Sequence, residues 1–272
     1  MIGNRTIKQM LAAVFQRRHY IALINMSKLY PRFLENLWRY LTGMGHYPYD
    51  IEVRTPVGLA SMRLYSHHDL LTVNEIFCRQ DYFANASLRH VVDLGSNIGI
   101  SALYFLTRNN DSKCTLYEPD PRNIEKLKRN LQGFEDRYTL IQSAVSDQVG
   151  QLEFGIEPTG RYGGIGLKMG EMIVVTCMHI NEVVRNALRD ASQIDILKID
   201  TEGVEIQTIN AIEPELLRYI STIYLEARPP GDLHPRLLDN KQYGSVRQLT
   251  KKYAQHEAQA GSLASGGHAS EL

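Results

Sequence analysis

From Arg89 onward, short apolar runs alternate with longer segments of helical periodicity, and this alternation restricts the fold more than any other feature. Strand-helix-strand units of this kind form a parallel sheet whose two faces are covered by helices. The apolar runs predict strands at 89–94, 113–118, 137–145, 194–200 and 219–226. We therefore expect an α/β, Rossmann-like fold with a mostly parallel sheet.

The segment after Glu118 predicts the clearest helix. Asp120 can cap its N-terminus and Pro121 suits its first turn. Its apolar stripe consists of Ile124, Leu127 and Leu131. Because these residues share one helical face, we expect the helix to pack against the sheet.

Further insertions and extensions surround these units. Two strand-like runs, 152–156 and 172–177, flank a Gly-rich loop and predict a flap beside the sheet. Between Thr6 and Gly43, apolar spacing of three and four predicts two amphipathic helices, and alternation over 51–65 predicts a hairpin. We divide the chain into a basic helical segment, a hairpin with a lead-in helix, the main α/β domain and a disordered tail, at 1–50, 51–88, 89–258 and 259–272.

Charge is balanced over the whole chain, since 30 Lys and Arg residues oppose 30 Asp and Glu residues. A net field that would favour nucleic acid is therefore not expected. Residues 1–50 carry only Glu35 and Asp50 as acids but seven basic residues: Arg5, Lys8, Arg17, Arg18, Lys28, Arg32 and Arg39. These basic residues fit solvated helix faces, with docking to a membrane surface or an anionic substrate as the alternative.

Cysteine usage and hydropathy bear on the cellular compartment. The three cysteines, Cys78, Cys114 and Cys177, are far apart and form no CxxC pair, so neither a disulfide framework nor a zinc site is indicated. No run approaches the roughly 20 apolar residues that span a bilayer, and 10–15 is too short for a secretory signal. We expect a cytoplasmic protein without a metal.

The string Val91-Val-Asp-Leu-Gly-Ser-Asn-Ile-Gly99 places an acid at a strand end, then a turn with glycines four residues apart, then a helix. Gly95 and Gly99 allow a tight bend and close approach to a ligand. Asn97 stands where a dinucleotide fingerprint needs a second glycine, so a ligand without a pyrophosphate fits better. Asp93 suits a cationic group such as the amino-acid end of S-adenosylmethionine. The alternative is a tight turn that binds no ligand.

Two further strand ends extend this candidate site. Glu118, followed by Pro119, ends the next strand, where a carboxylate can accept both hydroxyls of a ribose. An NAD enzyme also uses an acid at this position, and a charged strand end without a ligand remains an alternative. In the string 142–147, Ser143 and Ala144 lie where an adenine ring could contact the sheet edge.

The string Ile196-Leu-Lys-Ile-Asp-Thr-Glu-Gly-Val-Glu205 is the most distinctive one, because charges crowd the end of a strand that should be buried. In the functional interpretation, Asp200 or Glu202 accepts a proton from a substrate hydroxyl or amine, with Lys198 beside them. In the structural interpretation, a network of Lys198 with carboxylates fixes the turn and Gly203 supplies the bend.

In this order, Val-Val-Asp-Leu-Gly-Ser-Asn-Ile-Gly, Tyr-Glu-Pro-Asp-Pro, Ser-Ala-Val-Ser-Asp and Leu-Lys-Ile-Asp-Thr-Glu-Gly-Val-Glu resemble the FkbM family of methyltransferases over roughly residues 50–228. The resemblance implies a class I methyltransferase fold, S-adenosylmethionine as donor, and O-methylation of sugars or secondary metabolites. It implies a reaction centre at Asp200 and Glu202, and a cofactor site at Asp93, Gly95, Asn97, Gly99 and Glu118. Because it lies in the same string, we add Lys198 to the candidate reaction centre. For the same reason, the candidate cofactor site also includes Ser96, Pro119, Ser143 and Ala144.

The acceptor is expected to be a small molecule or glycan, with Arg161, Tyr162 and Glu226 as candidate contacts. Two features depart from the family. Asn181 stands where an acid is common, and 243–260 predicts a polar helix instead of closing strands, which would leave the sheet edge incomplete. A cofactor-binding scaffold without turnover is therefore an alternative, and a nicotinamide-dependent oxidoreductase a weaker one.

Overall fold

The computed structural model describes residues 17–157, 163–167, 170–226, 232–233, 235–243 and 245–251. The helices are α1 Arg17–Leu29, α2 Phe33–Thr42, α3 His67–Val73, α4 Ile100–Leu106, α5 Pro121–Asn130, α6 Ile180–Asp190, α7 Glu205–Asn210 and α8 Pro214–Leu217. The strands are β1 Tyr49–Thr55, β2 Gly58–Leu64, β3 His90–Leu94, β4 Lys113–Tyr117, β5 Tyr138–Ile141, β6 Ala144–Ser146, β7 Gly150–Ile156, β8 Gly163–Ile165, β9 Glu171–His179, β10 Ile194–Ile199, β11 Ile220–Glu226, β12 Leu237–Tyr243 and β13 Val246–Lys251. A π-helical turn, Asn74–Cys78, follows α3 directly.

Seven strands form the central sheet in the order β12-β13-β11-β10-β3-β4-β5. The five strands from β11 to β5 are parallel, whereas β13 and β12 are antiparallel to their neighbours. Strand order reverses between β3 and β10, because the chain first adds β4 and β5 on one side of β3 and later adds β10 and β11 on the other. Ligands of such sheets bind at the carboxyl ends beside this reversal. The topology confirms the α/β class I methyltransferase fold expected from the sequence.

The closing antiparallel pair shows that the prediction of a polar helix over 243–260 and an incomplete sheet edge was wrong for the residues described. Strand β13 pairs with β11 through Ile223 and Leu249, and with β12 on its other side. Local composition favours a helix, but the open edge of β11 offers backbone hydrogen-bond partners and a core that buries three side chains: Leu237, Val246 and Leu249. Tertiary contacts therefore override local propensity. Residues 252–260 and the tail 259–272 lie outside the described residues.

The third predicted strand, 137–145, is divided between two sheets. After β5, the Ser143 N–H donates to the Ile141 carbonyl at 3.0 Å, and its hydroxyl donates to the Thr176 carbonyl at 3.0 Å. These bonds turn the chain into a second sheet, β6-β9-β7-β8. The predicted runs at 152–156 and 172–177 lie in β7 and β9, and β8 adds a strand inside the Gly-rich loop. This second sheet is the expected flap.

The segments before β3 match the predicted helices and hairpin wherever the structure describes them. Strands β1 and β2 pair antiparallel around the Pro56-Val57 turn. Helix α3 begins with a capping box in which the Ser66 hydroxyl accepts the Asp69 N–H and the Asp69 carboxylate accepts the Ser66 N–H. Buried side chains of α1, the hairpin, α3, α4 and α5 form one core on one face of the sheet. A second core, with α6, α7 and α8, covers the other face.

Two helices show how side chains fix these positions. Asp120 caps α5 by accepting the Arg122 N–H at 2.9 Å, and Ile124 and Leu127 face the core as predicted. In α6, Asn181 accepts the Glu213 N–H at 2.9 Å and donates to the Ala211 carbonyl at 3.0 Å. Asn181 therefore joins α6 to the start of α8, a structural function for which an amide suffices. Across the residues described, no helix is both long and apolar enough to traverse a bilayer.

Candidate active site

The turn after β3 uses left-handed backbone conformations at Gly95, Asn97 and Gly99, with φ of 77°, 48° and 85°. A Cβ at Gly95 would lie 1.9 Å from the Asp200 carbonyl oxygen, so only glycine lets the ends of β3 and β10 approach this closely. A Cβ at Gly99 would lie 3.1 Å from the Leu127 side chain of α5. Packing within the protein therefore requires glycine at position 95, whereas at position 99 the left-handed backbone favours glycine and the space for a side chain is tight.

Glu118 follows β4 and is almost completely buried. Its carboxylate accepts the Asn97 N–H at 2.8 Å and the Asp120 N–H at 3.0 Å, with the Asn123 amide at 3.5 Å. Burial raises the pKa of Glu118 to about 7, although these donors act in the opposite direction. The backbone thus holds a carboxylate of near-neutral pKa at the strand end beside the switch in strand order.

A cleft opens beside Glu118 at the carboxyl ends of β3, β4 and β10, and it is termed the first cleft. Six residues predicted for the cofactor line it: Gly95, Asn97, Glu118, Pro119, Ser143 and Ala144. Its apolar wall includes four residues that sequence reasoning missed: Val145, Phe154, Ile156 and Ile165. Three of these come from the flap strands β7 and β8, so the second sheet covers the first cleft.

Asp93 does not line the first cleft. It is fully buried, and its carboxylate accepts the Ser101 hydroxyl at 2.6 Å and lies 3.0 Å from the Lys198 Nζ. Ser96 lines a neighbouring cleft, where its hydroxyl donates to the Asp93 carbonyl at 2.9 Å. Any effect of Asp93 on a ligand would therefore act through Lys198 or Ser101, which both line the neighbouring cleft.

Lys198 is the centre of a buried ionic cluster. Its Nζ lies 3.0 Å from Asp93 and 3.2 Å from Asp200, and it donates to the Gly95 carbonyl at 3.0 Å. Burial alone would lower the pKa of Lys198, but the two carboxylates raise it above its ordinary value. The lysine therefore remains cationic. This is the lysine–carboxylate network that the sequence allowed as a structural alternative.

The neighbouring cleft, termed the second cleft, shares Gly95, Asn97, Asp200 and Glu202 with the first. It is further lined by α3, the π-helical turn, and the group Tyr82, Glu226 and Ser245. Tyr82 donates its hydroxyl to Glu226 at 3.0 Å, and Ser245 donates to the other oxygen of the same carboxylate. Glu226, which was predicted to contact the acceptor, therefore lines the same cleft as Asp200 and Glu202.

Asp200 lies where the two clefts meet, and about a quarter of its side chain is exposed (26%). Burial raises its pKa, Lys198 opposes that shift, and the carboxylates of Glu226 and Glu202 add to it. Its pKa consequently lies well above the usual range for aspartate. A carboxylate of raised pKa is a stronger base than an ordinary aspartate, so Asp200, open to a cleft and held by a lysine, is a candidate proton acceptor.

Two further acids of the turn after β10, Glu202 and Glu205, differ in their surroundings. Glu202 has a left-handed φ of 53°, and a Cβ at Gly164 would lie 2.2 Å from its carbonyl oxygen, so the flap touches this turn. Glu205 accepts the Gly203 N–H at 2.9 Å and stabilises the turn instead of facing a cleft. The candidates Arg161 and Tyr162 lie outside the described residues.

Sequence reasoning missed Tyr82 and the flap residues for different reasons. Tyr82 lies in the predicted hairpin and lead-in segment 51–88, which contains none of the strings that indicated chemistry. Phe154 and Ile156 alternate along β7, but a shift of one residue reverses the faces of a strand, so the inward face could not be chosen from the sequence.

The Methyltransferase FkbM domain family matches residues 93–252, more than half of the chain. The chain belongs to this methyltransferase family. Methyltransferase sdnD of Sordaria araneosa is 23% identical over 198 residues, which cover 58% of the chain and 74% of that protein. The 2-O-methyltransferase NoeI of Sinorhizobium fredii is 34% identical over 64 residues, 24% of the chain and 26% of NoeI.

Solved structures include a methyltransferase FkbM from Methylobacillus flagellatus, with 15% identity and a TM-score of 0.36. The match covers 58% of this chain and 43% of that protein, so the chain spans less than half the length of this FkbM structure. A putative caffeoyl-CoA O-methyltransferase from Staphylococcus aureus has 12% identity and a TM-score of 0.37, covering 76% and 71% of the two chains.

Proposed function

We propose that this chain transfers a methyl group from S-adenosylmethionine to a hydroxyl oxygen of a sugar, glycan or small metabolite. The observation that carries the proposal is the buried Glu118 carboxylate, held by backbone N–H groups at the switch in strand order, in a member of a methyltransferase family. The name of the relative NoeI, a 2-O-methyltransferase, supports oxygen as the acceptor atom.

The residues of the first cleft fit S-adenosylmethionine. Glu118 would accept ribose hydroxyls, and the apolar wall of Val145, Phe154 and Ile156 would pack on the adenine. Carboxylates of Asp200 and Glu202 at the far end suit a cationic ligand. The donor would supply an electrophilic methyl group carried on a sulfonium.

The chain itself would orient the acceptor and take up its proton. Asp200 stands at the junction of the clefts, so an acceptor hydroxyl in the second cleft would lose its proton to the Asp200 carboxylate. Glu202 is the alternative proton acceptor at the same junction. Lys198 would hold Asp200 in place, and Glu226, fixed by Tyr82 and Ser245, would bind further acceptor hydroxyls.

The completed sheet edge removes the observation that had favoured a scaffold without turnover. Family membership likewise speaks against a nicotinamide-dependent oxidoreductase. Catalysis is therefore the function that the geometry supports best.

Calorimetry with S-adenosylmethionine, followed by transfer of a radiolabelled methyl group to panels of sugars, lipid-linked glycans and hydroxylated metabolites, tests the proposal. Asp200→Asn should lower turnover about 10² to 10⁴-fold, and this loss should exceed any loss of donor affinity. The exposed Asp190→Asn is the matched control. Absence of donor binding at millimolar ligand would exclude the proposed function, and equal turnover of Asp200→Asn would exclude Asp200 as the proton acceptor.

A further inference from the structure

Helix α2 presents apolar side chains to solvent as well as to the core. Leu34, Trp38 and Leu41 are 77%, 47% and 51% exposed, and their spacing of four and three places them on one helical face. Phe33, Leu37 and Tyr40 of the same helix pack against the core. The exposed stripe is therefore additional to the apolar face that the fold requires.

Helix α1 has a similar excess. Within residues 20–26 of this helix, Ala22 and Met26 are buried. Four apolar residues of the same range are between 43% and 52% exposed: Tyr20, Ile21, Leu23 and Ile24. A helix that is apolar on most sides is ordinarily covered on most sides. Within the part of the chain that the structure describes, α1 and α2 contact each other but leave these residues uncovered.

The charge of the two helices is one-sided. Residues 17–44 contain the basic residues Arg17, Arg18, Lys28, Arg32 and Arg39 against a single acid, Glu35. Glu35 forms ion pairs with Arg32 at 3.4 Å and Arg39 at 3.1 Å, whereas the Lys28 side chain is exposed. The uncovered apolar residues thus belong to a segment with an excess of positive charge.

We propose that the exposed apolar residues of α1 and α2, termed the interfacial face, dock onto a membrane surface that carries anionic lipids. Such a surface offers negative headgroups to the basic residues and an apolar layer to the leucines, while Trp38 and Tyr20 suit the boundary between the two. A second copy of the chain would instead bring the same positive charge to the contact. Charge complementarity therefore favours the membrane.

Helix α1, which carries part of the interfacial face, contacts an element that lines the second cleft. Helix α1 packs on the π-helical turn, where Asn25 donates to the Cys78 carbonyl at 2.7 Å, and this turn and α3 line the second cleft. Docking would hold that cleft near the lipid surface. If the proposed function holds, an acceptor anchored in the membrane would be within reach, although docking itself requires neither donor nor acceptor.

The chain contains one tryptophan, Trp38, which lies on the interfacial face. Tryptophan fluorescence therefore reports on the environment of this face. The full chain is mixed with vesicles of phosphatidylcholine alone, or of phosphatidylcholine with phosphatidylglycerol. We expect a blue shift of tryptophan emission and co-sedimentation with the anionic vesicles only. Both should be reversed in 1 M salt, where the screening length falls to about 3 Å.

Variants separate the apolar and charged contributions. Leu34→Ser with Leu41→Ser should weaken vesicle partitioning about tenfold or more while keeping Trp38 as the probe. Lys28→Glu should also weaken partitioning. Leu59→Ser with Val149→Ser, at exposed apolar positions elsewhere, and Lys128→Glu are the matched controls and should bind like wild type. Circular dichroism checks that each variant is folded.

Three results would overturn the proposal. One is the absence of an emission shift and of co-sedimentation with anionic vesicles, and another is equal binding to neutral vesicles. The third is a blue shift without vesicles that grows with protein concentration, together with a doubled mass in sedimentation, which would make the face a contact between copies. None of these measurements depends on methyl transfer, so failure here leaves the proposed function untouched.

Discussion

At the residue scale, Asp93 and Glu118 are both buried at the carboxyl ends of adjacent strands, yet their surroundings differ. The Asp93 carboxylate pairs with the Lys198 ammonium and accepts the Ser101 hydroxyl, so its partners are groups of the protein itself. Among the residues described, the partners of the Glu118 carboxylate are all N–H donors, and Glu118 lines the first cleft. Of the two acids, Glu118 is therefore the one in a position to bind a ligand.

Glu118→Gln should weaken S-adenosylmethionine binding about 10- to 100-fold, because it removes a charged hydrogen-bond acceptor. Burial raises the pKa of Glu118 to about 7, so the carboxylate ionises as pH rises through that value. Wild-type affinity should accordingly rise from about pH 6 to about pH 8, and the variant should lack this rise. Calorimetry at several pH values measures both, with the exposed Glu125→Gln as control. A flat wild-type profile would contradict the assignment.

Lys198→Met should strongly destabilise the fold, since Asp93 and Asp200 would lose the cation between them. Removing one partner of a buried ionic cluster typically costs about 3–5 kcal/mol. Urea denaturation measures the loss, and adding Asp93→Asn to the variant should restore part of it. A cost below about 1 kcal/mol would show that the cluster does not support the fold.

At the element scale, the flap sheet completes the first cleft. Strand β7 supplies Phe154 and Ile156 to its wall, while β8 contacts the turn after β10 through Gly164. Through this contact, the flap that covers the first cleft touches the turn that carries Glu202. The position of the flap and the shape of the turn are therefore linked.

Gly164→Ala should weaken donor binding, because its Cβ would lie 2.2 Å from the Glu202 carbonyl oxygen and force the flap away. Gly166→Ala is the control, since its added Cβ meets nothing within 4 Å. Its left-handed backbone makes that alanine cost about 1–2 kcal/mol in stability, but donor affinity should be unchanged. Equal donor affinity for wild type and Gly164→Ala, by calorimetry, would refute the link between flap and turn.

At the scale of the whole molecule, strands β12 and β13 close the central sheet and cover the edge of β11. An open edge beside an apolar core would expose unpaired backbone groups and invite association. The pair also seals both cores, since Val246 belongs to one and Leu249 to the other. Residues that lie far from the motifs thus stabilise the sheet that supports the clefts.

Leu249→Ala should lower the free energy of unfolding by about 2–5 kcal/mol, as expected for a fully buried leucine. Gln248→Ala, one residue earlier and partly exposed, should change it by less than about 0.5 kcal/mol. Chemical denaturation of both variants compares them. Similar values would indicate that this strand is not packed as described.

The strand-helix alternation and the candidate site residues could be read from the sequence, because periodicity, helix caps and turn glycines are local properties of the chain. Glu118, Gly95 and Asp200 were found in this way. Three features became clear only from the tertiary structure: Asp93 pairs with Lys198, Tyr82 and Ser245 hold Glu226, and strands replace the predicted helix over the described part of 243–260. Each of these depends on partners far away in sequence. Burial and an open strand edge then outweigh the preference of the local segment.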